Sequence, residues 1–249
     1  MKNKELQIKY DQMHAQGTSA WFSDGQEERE FILKIGESWN KLQVLEIGCG
    51  EGALGMIIRG KGAEYLGLDY SKEAIYKATQ LTKADVFIYG DYRMQGLGLY
   101  QRIVMQGVLE HLDNPFAELK WMIDNLLIKG GDVITSSPCF LNPRGIVWMT
   151  LNLIGAVMSK TDRHFLNPWD FWGFAMKHDY HIETQYCDED WGNDAGMLKD
   201  LAQRIPLALK DGNIDLNPAK FNQYLQWLTS MKDFNLPGYG ATAIYKIKT

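Results

Sequence analysis

From Leu42 to Val133, short apolar runs alternate with segments whose apolar residues recur at helical spacing. The runs "LQVLEIG" (42–48), "AEYLGLD" (63–69), "ADVFIYGD" (84–91), "RIVMQG" (102–107) and "DVITSSP" (132–138) read as buried strands. Between them lie a short helix that stops in "RGKG", the helix "SKEAIYKATQLT" opened by Ser71 as N-cap, and a helix from Pro115 to Leu127 ended by "KGG". Strands separated by helices imply right-handed crossovers and a parallel sheet, an α/β fold. Two further strand patterns, "HIETQYCDE" (181–189) and "GATAIYKIKT" (240–249), are separated by a mostly helical stretch.

Two segments, 139–180 and 190–238, exceed what a minimal doubly wound sheet needs. They are rich in aromatics, among them Trp148, Phe171, Trp172, Phe174, Trp191 and Trp227. With a helical cap over residues 1–40, they are expected to cover the carboxyl edge of a core spanning 41–138, all within one domain (1–249). Open α/β sheets bind ligands at that edge. The most apolar stretch, "GIVWMTLNLIGAVM" (145–158), is too short to span a bilayer. It reads as a buried helix or, alternatively, as a lid facing an interface or substrate.

The bulk composition narrows the function. A 249-residue chain that is 45% hydrophobic and 23% charged has ample material for a core. A formal net charge of -5, without a lysine or arginine run, disfavours nucleic acid as partner. The N-terminal "MKNKELQIKY" lacks the apolar core of a secretory signal. Cys49, Cys139 and Cys187 are scattered and show no metal-ligand spacing, so a reduced cytoplasmic protein is expected.

The strongest chemical signal is "LEIGCGEGALG" (45–55). Gly48 and Gly50 permit a tight strand-to-helix turn that brings bare backbone against a ligand. Read through Ala53 as G-x-G-x-x-A, the turn also satisfies the dinucleotide fingerprint of nicotinamide oxidoreductases. Glu46 beneath the turn argues otherwise, because its carboxylate would oppose a pyrophosphate but suit a ligand carrying ammonium and sulfonium. Asp69 ends the second strand, where a carboxylate can chelate a ribose diol. Asp91 and Tyr92 end the third, where an acceptor and an aromatic face can hold adenine.

In this order, "VLEIGCGEG", "GLDYS", "GDY" and "VLEHLDNP" resemble the motifs of class I S-adenosylmethionine-dependent methyltransferases, of the methyltransferase-11/23 kind, with some likeness to MetW-type proteins. The resemblance covers roughly residues 42–138 and implies a Rossmann-like, seven-stranded, mostly parallel sheet with the last strand antiparallel and helices on both faces. It implies that Glu46, Gly48 and Gly50 face the methionine part of S-adenosylmethionine and that Asp69 takes the ribose hydroxyls. Tyr70 would pack on the adenine, Asp91 would meet its amino group, and Gln106 would lie near the sulfonium. The expected activity is in-line methyl transfer to an oxygen or nitrogen of a small, partly apolar or aromatic acceptor. A non-catalytic cofactor-binding regulator of the MetW type is the alternative.

The stretch "GVLEHLDNP" (107–115) gathers Glu110, His111 and Asp113, a set suited to metal binding, base catalysis or helix capping. Some relatives hold a divalent cation with a glutamate where this chain has Gly107, so no metal is expected. Gln101 is a second departure, standing where the family often has an acid. Asp113 or Asn114 reads as N-cap of the helix that Pro115 opens. His111 and His164 compete as catalytic base, and Arg144 and Arg163 are candidates for an anionic acceptor group. Cys49 reads as a small turn residue, and Tyr10, Trp21 and Phe22 as parts of a lid over the cofactor.

Overall fold

The computed structural model describes residues 4–15, 25–83, 86–94, 96–157, 159, 161–230 and 240–249. Its seven strands are β1 (Gln43–Ile47), β2 (Glu64–Asp69), β3 (Phe87–Tyr89), β4 (Tyr100–Gln106), β5 (Leu127–Pro138), β6 (His181–Cys187) and β7 (Thr242–Lys248). They form one sheet in the order β3-β2-β1-β4-β5-β7-β6. Six strands run parallel, and β7 lies antiparallel between β5 and β6. This is the Rossmann-like sheet the motifs imply.

Successive side chains of a strand point to opposite faces, so a strand covered on both sides must be apolar at nearly every position. Leu45, Ile47, Ile103, Met105, Val133, Tyr245 and Ile247 share one face with Leu119 and Met122 of α5 (Pro115–Leu126). Val44, Val104, Ile134 and Ile244 share the other with Ile32 and Ile35 of α2 (Gln26–Ile35) and with Leu54 and Ile58 of α3 (Ala53–Gly60). The remaining helices are α1 (Lys4–Ala15), α4 (Lys72–Thr82), α6 (Pro143–Leu153), α7 (Pro168–His178), α8 (Glu189–Asn193), α9 (Ala195–Asp211) and α10 (Pro218–Ser230). None of the described helices is long and apolar enough to cross a membrane.

Three expectations need correction. The region 1–40 does not act as one cap: among its described residues α1 lies over the carboxyl edge, whereas α2 packs on the sheet and reaches the cavity with its first turn, through Glu28 and Arg29. The aromatics of 139–180 likewise divide: Phe171 is fully buried and stacks on Tyr245 with ring centroids 3.8 Å apart, so α7 is a sheet-covering helix. The apolar stretch 145–158 is not a buried helix. Helix α6 buries Trp148 against Met197, Leu201 and Ile205 of α9, while Leu153 is 86% and Ile146 58% exposed. A helix packed along one stripe leaves its opposite face outside whatever its composition.

One buried ion pair anchors α2 to the sheet. Arg102 on β4 donates from Nε and Nη2 to Asp132 on β5 at 2.5 and 2.7 Å. Its Nη1 donates to the carbonyls of Gly36 and Ser38, just beyond α2, at 2.8 and 3.0 Å. The guanidinium also lies over Trp39, 4.6 Å from the ring centroid. Removing one partner of such a pair strands the other charge. Arg102→Gln is expected to lower unfolding free energy by about 3–5 kcal/mol, read as a lower urea midpoint at unchanged slope.

Candidate active site

At the end of β1 the chain turns through Gly48, Cys49 and Gly50. Gly48 has φ +75°, and a Cβ there would stand 2.6 Å from the Val108 side chain, so only glycine fits. The amides of Gly48 and Cys49 both donate to the Leu68 carbonyl of β2, at 2.7 and 3.1 Å. Asp69, the last residue of β2, accepts from the Gly50 amide at 2.9 Å and from the Ser71 amide at 2.7 Å. Ser71 in turn caps α4, its hydroxyl accepting from the Ala74 amide at 3.2 Å.

Burial sets the acidities around this turn. Asp69 is raised above the ordinary aspartate range by desolvation, with its two amide bonds opposing. Glu46 is 2% exposed and accepts a 2.5 Å hydrogen bond from the Tyr65 hydroxyl. Desolvation, reinforced by the charge of Asp69 and opposed by the tyrosine, pushes its carboxyl up to about 8. Cys49 is buried, and desolvation drives its thiol far up, which leaves it a turn residue rather than a nucleophile.

A cavity of about 1480 Å³ opens over the carboxyl edge where β1 and β4 diverge. Glu46, Gly48, Gly50, Asp69, Tyr70, Asp91, Tyr92 and Gln106 all line it, and so does His111. Gln106 donates to Glu28 of α2 at 2.7 Å, Asp91 accepts from the Arg93 amide at 2.8 Å, and Tyr92 donates to Glu118 at 2.7 Å. His164 does not line the cavity. It is half-buried beside it, with its amide donating to the Glu110 carbonyl at 3.2 Å.

Helix α1 forms a roof. Gln7 donates to the Tyr70 carbonyl and to the Tyr89 hydroxyl, at 2.8 and 2.9 Å, and Asp11 accepts from the Ser71 hydroxyl at 2.6 Å. Tyr10 lies edge-on to both Tyr70 and His111, with centroids 5.8 and 5.7 Å away. His14 pairs with Glu51 at 3.1 Å, and Lys77 donates to its carbonyl. Tyr10 therefore meets the cavity, whereas Trp21 and Phe22 lie outside the described residues.

The cluster at 107–115 separates by residue. Gly107 has φ +61°, a conformation that disfavours any side chain at the position where relatives carry a ligand. Glu110 is 3% exposed, its carboxyl is pushed up by burial, and Oε2 has no hydrogen-bond partner among the described residues. Asp113 pairs with Arg163. Asn114 occupies the N-cap position of α5 but makes no side-chain cap bond. Among the described residues no three His, Cys, Asp or Glu side chains converge to hold a metal.

Several cavity residues gave no readable signal alone. Asp162, two residues before His164, stands with Oδ1 3.3 Å from His111 Nδ1. His14, Glu28 and Arg29 also line the wall. Asp200 and Arg204 did carry a signal: an acid and a base four residues apart on the apolar stripe of α9, among Met197, Leu201 and Ile205.

A family model described as "Methyltransferase domain" matches residues 21–190, more than half of the chain. The chain belongs to this family. Solved structures with the same fold include an S-adenosylmethionine-dependent methyltransferase from Mesorhizobium loti (TM-score 0.56, 14% identity, covering 91% of this chain and 99% of that one). Another, from Archaeoglobus fulgidus, gives TM-score 0.56 at 16% identity over 89% and 94%. A cyclopropane synthase from Mycobacterium tuberculosis gives 0.58 at 15% over 89% and 82%. No curated protein matches the sequence. Within the family, the sheet order and glycine turn are those of the class I members, whose cofactor is S-adenosylmethionine.

Glu46 offers a test of charge matching at the turn. Below about 8 its carboxyl binds a proton, which a cationic ligand must displace. Affinity for S-adenosylhomocysteine, which keeps the ammonium, is expected to rise by up to about tenfold per pH unit between roughly pH 6 and 8. Titration calorimetry with Glu46→Gln should show weaker binding and a flat pH response over that range.

Proposed function

We propose that this protein transfers the methyl group of S-adenosylmethionine to an oxygen or nitrogen of a small-molecule acceptor. The observation that carries the reading is one continuous cavity, lined by the glycine turn and its acids and also by His111, Trp148 and Trp191. The donor set fits the cofactor. Asp69 has both carboxylate oxygens fixed by backbone amides and is aimed to accept from a ribose diol. Asp91 suits the adenine amino group, and Tyr70 and Tyr92 offer aromatic faces. Glu46 answers the ammonium, and Gln106, held by Glu28, stands at the end of β4 near the place for the sulfonium. When bound, the cofactor supplies a methyl group already activated by the positive sulfur.

The protein's own task is to orient the nucleophile, exclude water and remove a proton. His111 is placed to act as base. Desolvation holds its pKa below the ordinary histidine range, although the Asp162 carboxylate opposes the shift, so the ring is neutral and able to accept a proton at physiological pH. Asp162 would steady the imidazolium that forms. His164, outside the lining, is the weaker candidate.

The sign of the pH response follows. A base with a depressed pKa loses activity only as pH falls through that lowered value, so the acid limb should lie below about 6.5, the ordinary histidine pKa. His111→Gln is expected to lower kcat by about 10²–10⁴-fold and abolish the limb, with His164→Gln near wild type. Radiolabelled methyl transfer into panels of small phenols, acids and amines, across pH, measures both. Wild-type protein that binds S-adenosylhomocysteine yet labels no acceptor would overturn the proposal.

A further inference from the structure

The cavity is electrically uneven. Its cofactor side carries Glu46, Asp69 and Asp91, whereas the wall built by α6 and α9 carries Arg144 and Arg204. These two guanidiniums share one buried carboxylate: Arg144 Nε lies 2.6 Å from Asp200 Oδ2, and Arg204 Nε 2.7 Å from Oδ1. Both also flank the ring of Trp148, 4.5 and 5.1 Å from its centroid. Asp200 is 3% and Arg144 8% exposed.

Among the described residues Arg144 bonds to protein only through Nε. Among those residues its terminal nitrogens have no hydrogen-bond partner, so a planar fork lies at the cavity wall, pre-organised for two oxygens of one anion.

Resting on the methyl-transfer reading above, we propose that Arg144, with Arg204 beside it, binds an oxyanion of the acceptor. The acceptor class is then small molecules bearing a carboxylate or a phosphate on an apolar or aromatic body that packs against Phe140, Trp148 and Trp191. Arg29, whose charge acts on Glu46 at the glycine turn, also lines the cavity. Arg144 is not among the charges that act on Glu46.

The test uses the full chain saturated with S-adenosylhomocysteine, titrated with benzoate, phenyl phosphate and neutral benzamide while ligand NMR signals are followed. One anion, at least, is expected to bind about tenfold or more tightly than benzamide. Whichever of benzoate and phenyl phosphate wins names the group. Arg144→Met should remove that preference while leaving affinity for S-adenosylhomocysteine unchanged, since Asp200 keeps Arg204. Arg144→Lys, which keeps charge but loses the fork, should restore only part of it. Equal binding of anions and benzamide by wild type would overturn the proposal whether or not the variants fold. A folded Arg144→Met that keeps the preference, or that loses S-adenosylhomocysteine instead, would do so as well. Wild type that fails to bind S-adenosylhomocysteine would sink the underlying methyl-transfer reading.

Discussion

The carboxylate of Asp69 is where the architecture converges. One oxygen holds the Gly50 amide and the other holds the Ser71 amide, so the glycine turn after β1 and the start of α4 after β2 are fixed to the same group. Ser71 passes the constraint on, capping α4 with its hydroxyl and donating to Asp11 on the roof helix α1. Through α1, Tyr10 is set against Tyr70 and His111, which joins the strand end that carries Asp69 to the residue proposed as base. A carboxylate in that role resists substitution, because no neutral side chain of its size accepts from two amides with two equivalent oxygens.

Around this point the protein keeps several acids out of water. Glu28, Glu46, Asp69 and Glu110 all line the cavity, and desolvation raises each one. Such crowding works against folding, since each group must either hold a proton or sit ionised in a poor dielectric. A cationic ligand reverses the balance by supplying the missing countercharge. The dipoles and charges that receive it are already in position, fixed by strand ends and by backbone amides. The wall built by α6 and α9 differs in kind, with the guanidiniums of Arg144 and Arg204 both on Asp200.

Legibility in the sequence followed the range of the interactions. The strands, the Ser71 cap and the glycine turn rest on contacts close in the chain, and Glu46, Asp69 and Asp91 fall at strand ends, so their place on the carboxyl edge could be read directly. What remained hidden depends on distant partners. Nothing in "KYDQMHAQ" announces that His14 meets Glu51 or that Asp11 meets Ser71. "KTDRHFLNPWD" drew attention to His164, whereas the residue that reaches His111 is Asp162. The aromatics of α7 looked like cover because composition does not say which side of a helix finds the sheet, and Phe171 finds Tyr245 across 73 residues of intervening chain. For α6, its apolar character was plain, but its half-exposed packing was not.

The position of β7 has a consequence for the order in which this molecule can be built. It follows every other strand in the chain, yet it sits inside the sheet, pairing with Asp132–Pro138 on one side and His181–Cys187 on the other. Its neighbours Gly240 and Ala241 also secure the loop that leads into α6: Cys139 donates its amide to the Ala241 carbonyl, and Asn142, the cap of α6, donates to that of Gly240. During synthesis the glycine turn can therefore take shape early, from β1 and β2 alone. The loop into α6 has to wait for Gly240, Ala241 and the strand they open, so a nascent chain can complete the turn well before the wall bearing Arg144.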